Sequence, residues 1–367
     1  MTLTARQLNR ATLDRQMLLR REPVDVLTAV DRIVAIQAQE PASPYVALWN
    51  RVSGFDPADL DEAFASGVVR KASLMRITLH AVTAADHEVF HHAMLPALRA
   101  SRLYDKRFQG MDITIEQADA LLEHLLEFAR TPRQKAEIEE LLHSHAGDVG
   151  QPGVWWALRT YGGLVHAPTG GPWSFGLRPS YQAVTTEPRE RPACVAEMLR
   201  RYLTGFGPAT VPDMNQFTML PRTTIREALT SLELERHGDH YDVPDGTIPD
   251  EDTPAPPRLM AMWDSTLLAY ADRSRIIPDE YRKLVIRSNG DTLPTLLVDG
   301  QVAGVWRPTG DGGVEATAFH ALDDDQWAGL AEEAESLRKL LGDREPQVYR
   351  RFARWWNGLP AHEVRTV

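Results

Sequence analysis

Apolar positions in the first third of the chain recur every three to four residues, then give way to a β-rich stretch, and the same change is met twice more before residue 257. In residues 23–36, Val24, Leu27, Val30 and Val34 fall at helical spacing, and residues 4–19 read as a helix before them. Residues 44–52 and 57–65 each open on a Pro or Asp-Pro start signal. From 68 to 82 the chain is rich in β-branched residues and reads as a hairpin or wing, before 83–103 return to helix. A second cycle begins at Thr114, which with Gln117 three residues on can form a capping box. It continues through a helix start at Thr131-Pro132 and a helix over 153–161 that stops at Gly162-Gly163. Leu164-Val165-His166 and Trp173-Ser174-Phe175 then read as its wing. The third cycle places helices over 194–203, 211–217 and 222–232, and a hairpin over 234–243 around Gly238-Asp239.

A Pro/Asp-rich linker, 244–257, separates these cycles from strand-like segments at 258–263, 284–287, 295–298, 301–307 and 314–319. Asp299-Gly300 is a strong hairpin-turn signal, and 323–341 reads as an amphipathic helix. The pattern therefore predicts an α+β, mainly helical chain of three tandem winged-helix units, 1–112, 113–190 and 191–257. A small C-terminal β-sheet plus helix over 258–367 follows them.

Composition narrows the class. With 43% hydrophobic and 25% charged residues the chain reads as an ordinary globular protein. No apolar run reaches the length of a membrane span, and Arg6, Arg10 and Arg15 interrupt any leader-like core, so the expected location is cytoplasmic, with no membrane partner. The single cysteine, Cys194, leaves no internal disulfide and no cysteine-based zinc cluster. A net charge of −11 argues against a protein that coats nucleic acid indiscriminately. The charge is uneven, however: +2 over residues 1–110, −4 over 111–192, −6 over 193–257 and −3 over 258–367, so an anionic partner meets the N-terminal module first.

Three sets of side chains carry candidate chemistry. Gln37 and Gln39 stand where the 23–36 helix ends against Pro41; in an extended exit residues two apart share a side, so both amides can face one small target such as a water. Two glutamines at a helix end are more commonly solvent-facing or bonded to terminal carbonyls. Arg70, Lys71, Arg76 and His80 form a basic stretch on the first wing, suited to phosphate contact or simply a solvated face. His87-Glu88-Val89-Phe90-His91 fits the zinc-hydrolase spacing H-E-x-x-H, but the sequence marks no third ligand, and the expectation is neither metal nor cofactor. Trp155, Trp156, Arg159 and Tyr161 favour core over stacking on a base. Asp264, ahead of Ser265-Thr266, reads equally as a general base or a helix cap. Residues 308–313 lack a phosphate-loop lysine and read as a hairpin tip that can approach DNA.

Several stretches together resemble the winged-helix DNA glycosylases of the AlkZ and YcaQ type: Gln37-Ala38-Gln39, Pro44-Tyr45-Val46-Ala47-Leu48-Trp49-Asn50-Arg51, Leu74-Met75-Arg76 with Thr78-Leu79-His80, Phe206-Gly207-Pro208-Ala209-Thr210, and Trp263-Asp264-Ser265 with Asp272-Arg273. The resemblance spans nearly the whole chain. It implies a concave body acting as a monomer on double-stranded DNA with bulky N7-alkylpurine adducts or interstrand crosslinks, in DNA repair or self-resistance to alkylating agents. It also implies that Gln37 and Gln39 are the catalytic pair; where some relatives carry aspartate at the second position this chain has an amide, which cannot serve as a general base. The reading from another class is a non-catalytic winged-helix regulator, against which stands the lack of a strongly basic recognition helix in the second and third units.

Overall fold

The computed structural model describes residues 3–146 and 151–367. Helix α1 (Ala5–Arg15) opens on Thr4, whose hydroxyl and the Gln7 amide complete a capping box. Its buried face is polar: Asn9, Arg10, Thr12 and Arg15 are all inside. α2 (Val26–Ile33), capped by Asp25, ends earlier than the sequence suggests, because Val34 turns to φ +71° and releases the chain into strand β1 (Ile36–Gln37). α3 (Ser43–Trp49) and α4 (Pro57–Ala65) follow, then the hairpin β2 (Val69–Ser73) and β3 (Leu79–Thr83), α5 (Ala84–Leu103) and the short α6 (Lys106–Gln109). β1 lies against β3, pairing Ile36 with Ala81 and Gln37 with His80, so the first glutamine is fixed by a sheet register.

The second cycle comprises α7 (Ile115–Phe128), started by the Thr114–Gln117 box, β4 (Arg133–Gln134), α8 (Lys135–Ala146), α9 (Gln151–Tyr161), β5 (Leu164–Ala167) and β6 (Ser180–Ala183). Here the structure corrects the sequence reading, since the returning strand is 180–183 and not 173–175. Trp173, Ser174 and Phe175 have better partners across the seam than a ladder would offer. Trp173 packs 5.1 Å from the Tyr45 ring, Phe175 lies edge-on to Phe64 at 4.9 Å, and the Ser174 hydroxyl sits 2.7 Å from that of Tyr45. β5 pairs with β2 at Lys71–His166, which fuses both wings into one six-stranded sheet, order β1-β3-β2-β5-β6-β4.

The third cycle follows the sequence reading more closely, with α10 (Arg191–Phe206), α11 (Val211–Thr218), α12 (Arg222–Leu229) and the hairpin β7 (Glu235–His237) and β8 (His240–Asp242). The C-terminal region holds β9 (Arg258–Leu259), α13 (Asp279–Val285), β10 (Thr295–Val298), β11 (Gln301–Pro308), β12 (Val314–Ala318), α14 (Asp324–Gly342) and β13 (Glu363–Thr366), the strands ordered β13-β12-β11-β10-β9. Asp299 and Gly300 both take positive φ, 48° and 77°, as a tight β10–β11 turn requires. Two expected strands shrink. Only 258–259 of the first is extended, and of 284–287 the first two residues end α13 while Ile286 makes a single bridge to Thr292; the acidic first turn (Asp279, Glu280) and basic last turn (Arg282, Lys283) of α13 suit the helix dipole.

Apolar packing forms two clusters. One joins α2, α3 and α4 to the C-terminal sheet and α14; the other joins α5 to the helices of the second and third cycles. Seams between elements far apart in the chain are tied by arginine–carboxylate pairs: Arg15 with Asp242 at 2.7 Å, Arg51 with Asp264 at 2.9 Å, Arg201 with Asp86 at 2.7 Å and Arg258 with Glu333 at 3.1 Å. Removing one member of such a pair strands its charge in the interior. Asp264→Ala is therefore expected to cost about 3 to 5 kcal/mol, whereas the double change Arg51→Met, Asp264→Leu should cost clearly less. Denaturant unfolding of both variants checks this, and equal losses would show that the charge pair is not the critical contact.

Candidate active site

β1 continues extended past Gln37, with the Ala38 amide donating to the Leu79 carbonyl at 2.8 Å, so Gln37 and Gln39 project to one side. Both line a cavity of about 600 Å³ whose wall also takes Ser73, Arg76 and Thr78 from the first wing, Arg102 from α5, Arg159 and Thr160 from α9, and His166 from β5. Trp263, Arg273 and Asp291 enter from the C-terminal side. With Gln216 from α11, the cavity gathers side chains from all four sequence segments around the fused sheet. Gln37 is buried and Gln39 exposed.

The amide orientations follow from their neighbours. Thr78 Oγ1 donates to the Met75 carbonyl at 3.1 Å and accepts from Gln37 Nε2 at 3.2 Å; Gln37 Oε1 lies 3.4 Å from the same hydroxyl and keeps lone-pair capacity for a further donor. Gln39 Oε1 takes a long 3.5 Å bond from the Leu79 amide and leaves its own NH₂ as a spare donor. A water between them can donate to one amide and accept from the other. Three residues of the cavity wall, Arg76, Ile77 and Trp263, hold positive φ of 54°, 57° and 56°. Such backbone is costly for a residue with a side chain, and it gathers here around the glutamine pair.

The basic wing residues separate in space. His80 is fully buried; its Nδ1 faces the Thr78 carbonyl at 3.1 Å and its Nε2 faces Arg76 Nη2 at 3.2 Å. The ring therefore donates from Nδ1 and accepts from the guanidinium at Nε2, and burial beside Arg76 holds it neutral, far below the usual histidine range. Arg76 lies over the Phe217 ring, and burial together with the Arg273 charge pushes it down to about 9. Lys71, expected on a solvent-facing wing, is buried with its ammonium 4.2 Å from the Phe175 ring, because the wing is covered by the 173–175 loop. Arg70 faces Glu88 at 3.6 Å and is partly exposed.

The remaining candidates resolve as structure. Asp264 caps a short 3-10 turn by accepting the Thr266 amide at 3.0 Å while both its oxygens bind Arg51. His87 and His91 are buried with rings stacked 5.8 Å apart, Glu88 pairs with Arg70 and Arg189, and no group of three or more metal ligands occurs among the described residues. Trp155 is core against Tyr181, whereas Trp156 is half-buried between Arg102 and Arg107, at 4.2 and 4.3 Å. Residues 308–313 form the β11–β12 turn, away from the cavity wall. Arg102 and His166 were not legible as site residues, since they come from separate elements and share no local pattern; Arg159, weighed only within a helix that favours core, and Arg273, quoted only for the family resemblance, also line the cavity.

Three comparisons with known proteins bear on this geometry. A family profile described as DNA glycosylase AlkZ-like matches residues 30–340. An interstrand DNA cross-link repair glycosylase of Streptomyces sahachiroi is 24% identical over 326 residues, covering 80% of this chain and 85% of the relative. The solved structure of the Streptomyces sahachiroi DNA glycosylase AlkZ superposes with a TM-score of 0.76 at 18% identity, covering 93% of this chain and 98% of that one, and shares its fold.

The buried lysine behind the cavity sets a pH dependence. Burial lowers Lys71 from the usual 10.5 to about 7, so between those values the unfolded chain holds a proton that the folded protein lacks, and stability rises with pH across that window. Lys71→Met is expected to be more stable than the parent near pH 6, with the gap closing towards pH 10.5. Denaturation midpoints measured across this range test the point; a gap constant with pH would remove the charge as its cause.

Proposed function

This chain belongs to the AlkZ-like family of DNA glycosylases, and from that premise we propose that it hydrolyses the N-glycosidic bond of bulky N7-alkylated purines in duplex DNA, including the unhooking of interstrand crosslinks. The name of the Streptomyces relative supports the crosslink substrate. The observation that carries the reading is the pair of amides held extended on one side of β1, one with acceptor capacity to spare and the other with donor capacity to spare, on the wall of the same cavity.

N7 alkylation leaves a positive charge on the purine, so the glycosidic bond breaks towards an oxocarbenium-like sugar with little need of acid catalysis. Gln37 and Gln39 then have two tasks: to aim a water at C1′ and to place the Gln37 carbonyl dipole against the developing positive charge. Neither amide takes the proton, which passes to solvent once the water has added. Thr78 tethers Gln37, and the strained Arg76-Ile77 turn holds Thr78, so the pair is arranged before substrate arrives. Arg70 and Arg76 are the proposed phosphate contacts of the first wing, with His80 orienting Arg76 from beneath; Lys71, buried against Phe175, supports the wing and is no phosphate contact in this reading. The three cycles of helices plus hairpin support three winged-helix modules with boundaries near 112, 190 and 257.

Incubation with a duplex bearing one N7-methylguanine should release free base by mass analysis, and intact DNA after prolonged incubation would sink the reading. Gln37→Ala and Gln39→Ala should each slow single-turnover excision by up to on the order of 10² to 10³, equivalent to about 3 kcal/mol, with DNA affinity and thermal melts nearly unchanged. The double variant should lose less than the product of the singles if both amides hold one water. Excision should also persist in excess chelator; complete loss restored by a single added metal would return attention to His87 and His91.

A further inference from the structure

The arginines around the glutamine pair differ from those at the seams. Arg15, Arg51, Arg201 and Arg258 each meet a carboxylate inside the protein. Arg76 and Arg273, both on the cavity wall, meet none among the described residues. Arg76 contacts a neutral imidazole and a phenyl face, its Nη1 has no acceptor, and Arg273 Nε is likewise buried without a partner. Arg102 bonds only the Thr160 hydroxyl and stacks on Trp156, and Arg159 is exposed at the same wall. The lining includes one carboxylate, Asp291, which is taken up by the Asn289 amide. Each charge also lowers another: Arg273 opposes Arg76, and Arg159 opposes Arg102.

Charges so placed are unfavourable in the free protein and are relieved by an anion. We propose, building on the glycosylase reading, that the cavity beside Gln37 and Gln39 is a receptor for a backbone phosphodiester next to the lesion, clasped between Arg76 and Arg273 with Arg102 and Arg159 along its wall. The guanidinium groups of Arg76 and Arg273, which no carboxylate among the described residues neutralises, supply charge-assisted hydrogen bonds to the two non-bridging oxygens. His80 keeps Arg76 in place by accepting from Nη2, which a protonated ring could not do.

A pocket for the extruded base would be built differently. The alkylated purine is itself a cation, so it calls for acidic groups or a pair of flat aromatic faces. The wall offers four guanidinium groups, one committed carboxylate, and as rings only Trp263, packed on Phe352, and the neutral His166. Holding the phosphate here draws the adjoining sugar towards the glutamines while the cationic base stays on the duplex side. The site thus sorts the two charges of its substrate.

The test uses the full chain and duplexes carrying a tetrahydrofuran abasic analogue, each with one phosphate on that strand replaced by a neutral methylphosphonate. Binding is read at equilibrium and needs no chemistry. At one or two linkages beside the analogue the replacement should weaken wild-type binding on the order of 10-fold. The same replacement should have little further effect on Arg76→Gln or Arg273→Gln. Arg159→Gln, at an exposed position, should show a partial form of the same loss of sensitivity, with thermal melts as the folding control. Indifference to every replacement, or variants as sensitive as wild type, would overturn the phosphate receptor. Should this pattern hold while no base is released from the N7-methylguanine duplex, the receptor stands and the glycosylase reading falls.

Discussion

The bidentate bond between Arg51 and Asp264 joins the two ends of the chain beneath the site. Arg51 also donates to the Ala47 carbonyl and the Thr266 hydroxyl, so one guanidinium ties the end of α3 to the turn after β9. Residues of this pair and the Gln37 backbone strand border the same small internal void. The first glutamine is consequently supported by residues more than two hundred positions away. A pair with both members almost wholly buried adds little net stability over apolar packing, yet it allows one arrangement only, and the catalytic strand benefits from that uniqueness.

Two uses of arginine organise the molecule. At the seams its planar fork meets carboxylates and locks helices of different cycles together, as Arg201 does between α10, α5 and the Asp31 end of α2. In the cleft the same side chain is held by neutral partners and keeps its charge uncompensated. The overall acidity of −11 is therefore no obstacle to an anionic ligand. What a polyanion meets is the local field of the cavity, focused by a low-dielectric wall, and not the average of the surface.

Much of the fold was legible because local signals agreed with global packing. Thr114 with Gln117, Gly163 after α9, and Asp299-Gly300 between β10 and β11 act where the sequence places them. Failures arose where distant residues outvoted local preference. The 173–175 segment has strand-like residues, but Tyr45, Phe64 and Asp61 capture them into a loop. β13 went unnoticed because Glu363 and Arg365 alternate with Val364 on a half-exposed edge, and its pairing with β12 is invisible to local pattern. The glutamine pair was legible from its proline stop and from family resemblance. Its surroundings were not, because no periodicity links Arg102 on a long helix with Arg273 in a loop.

The fusion of two wings into a single six-stranded sheet has a mechanical consequence. Lys71–His166 pairing and the loop packed over it tie the first two cycles together. The stiffer such a cradle is, the more of the work of fitting falls to its guest. Bending a site of a few tens of base pairs costs on the order of 1 to 6 kcal/mol, and the figure falls where stacking is already weakened. A duplex softened by a bulky adduct would settle into such a rigid form more cheaply than intact DNA, so stiffness in the protein can itself select for damage.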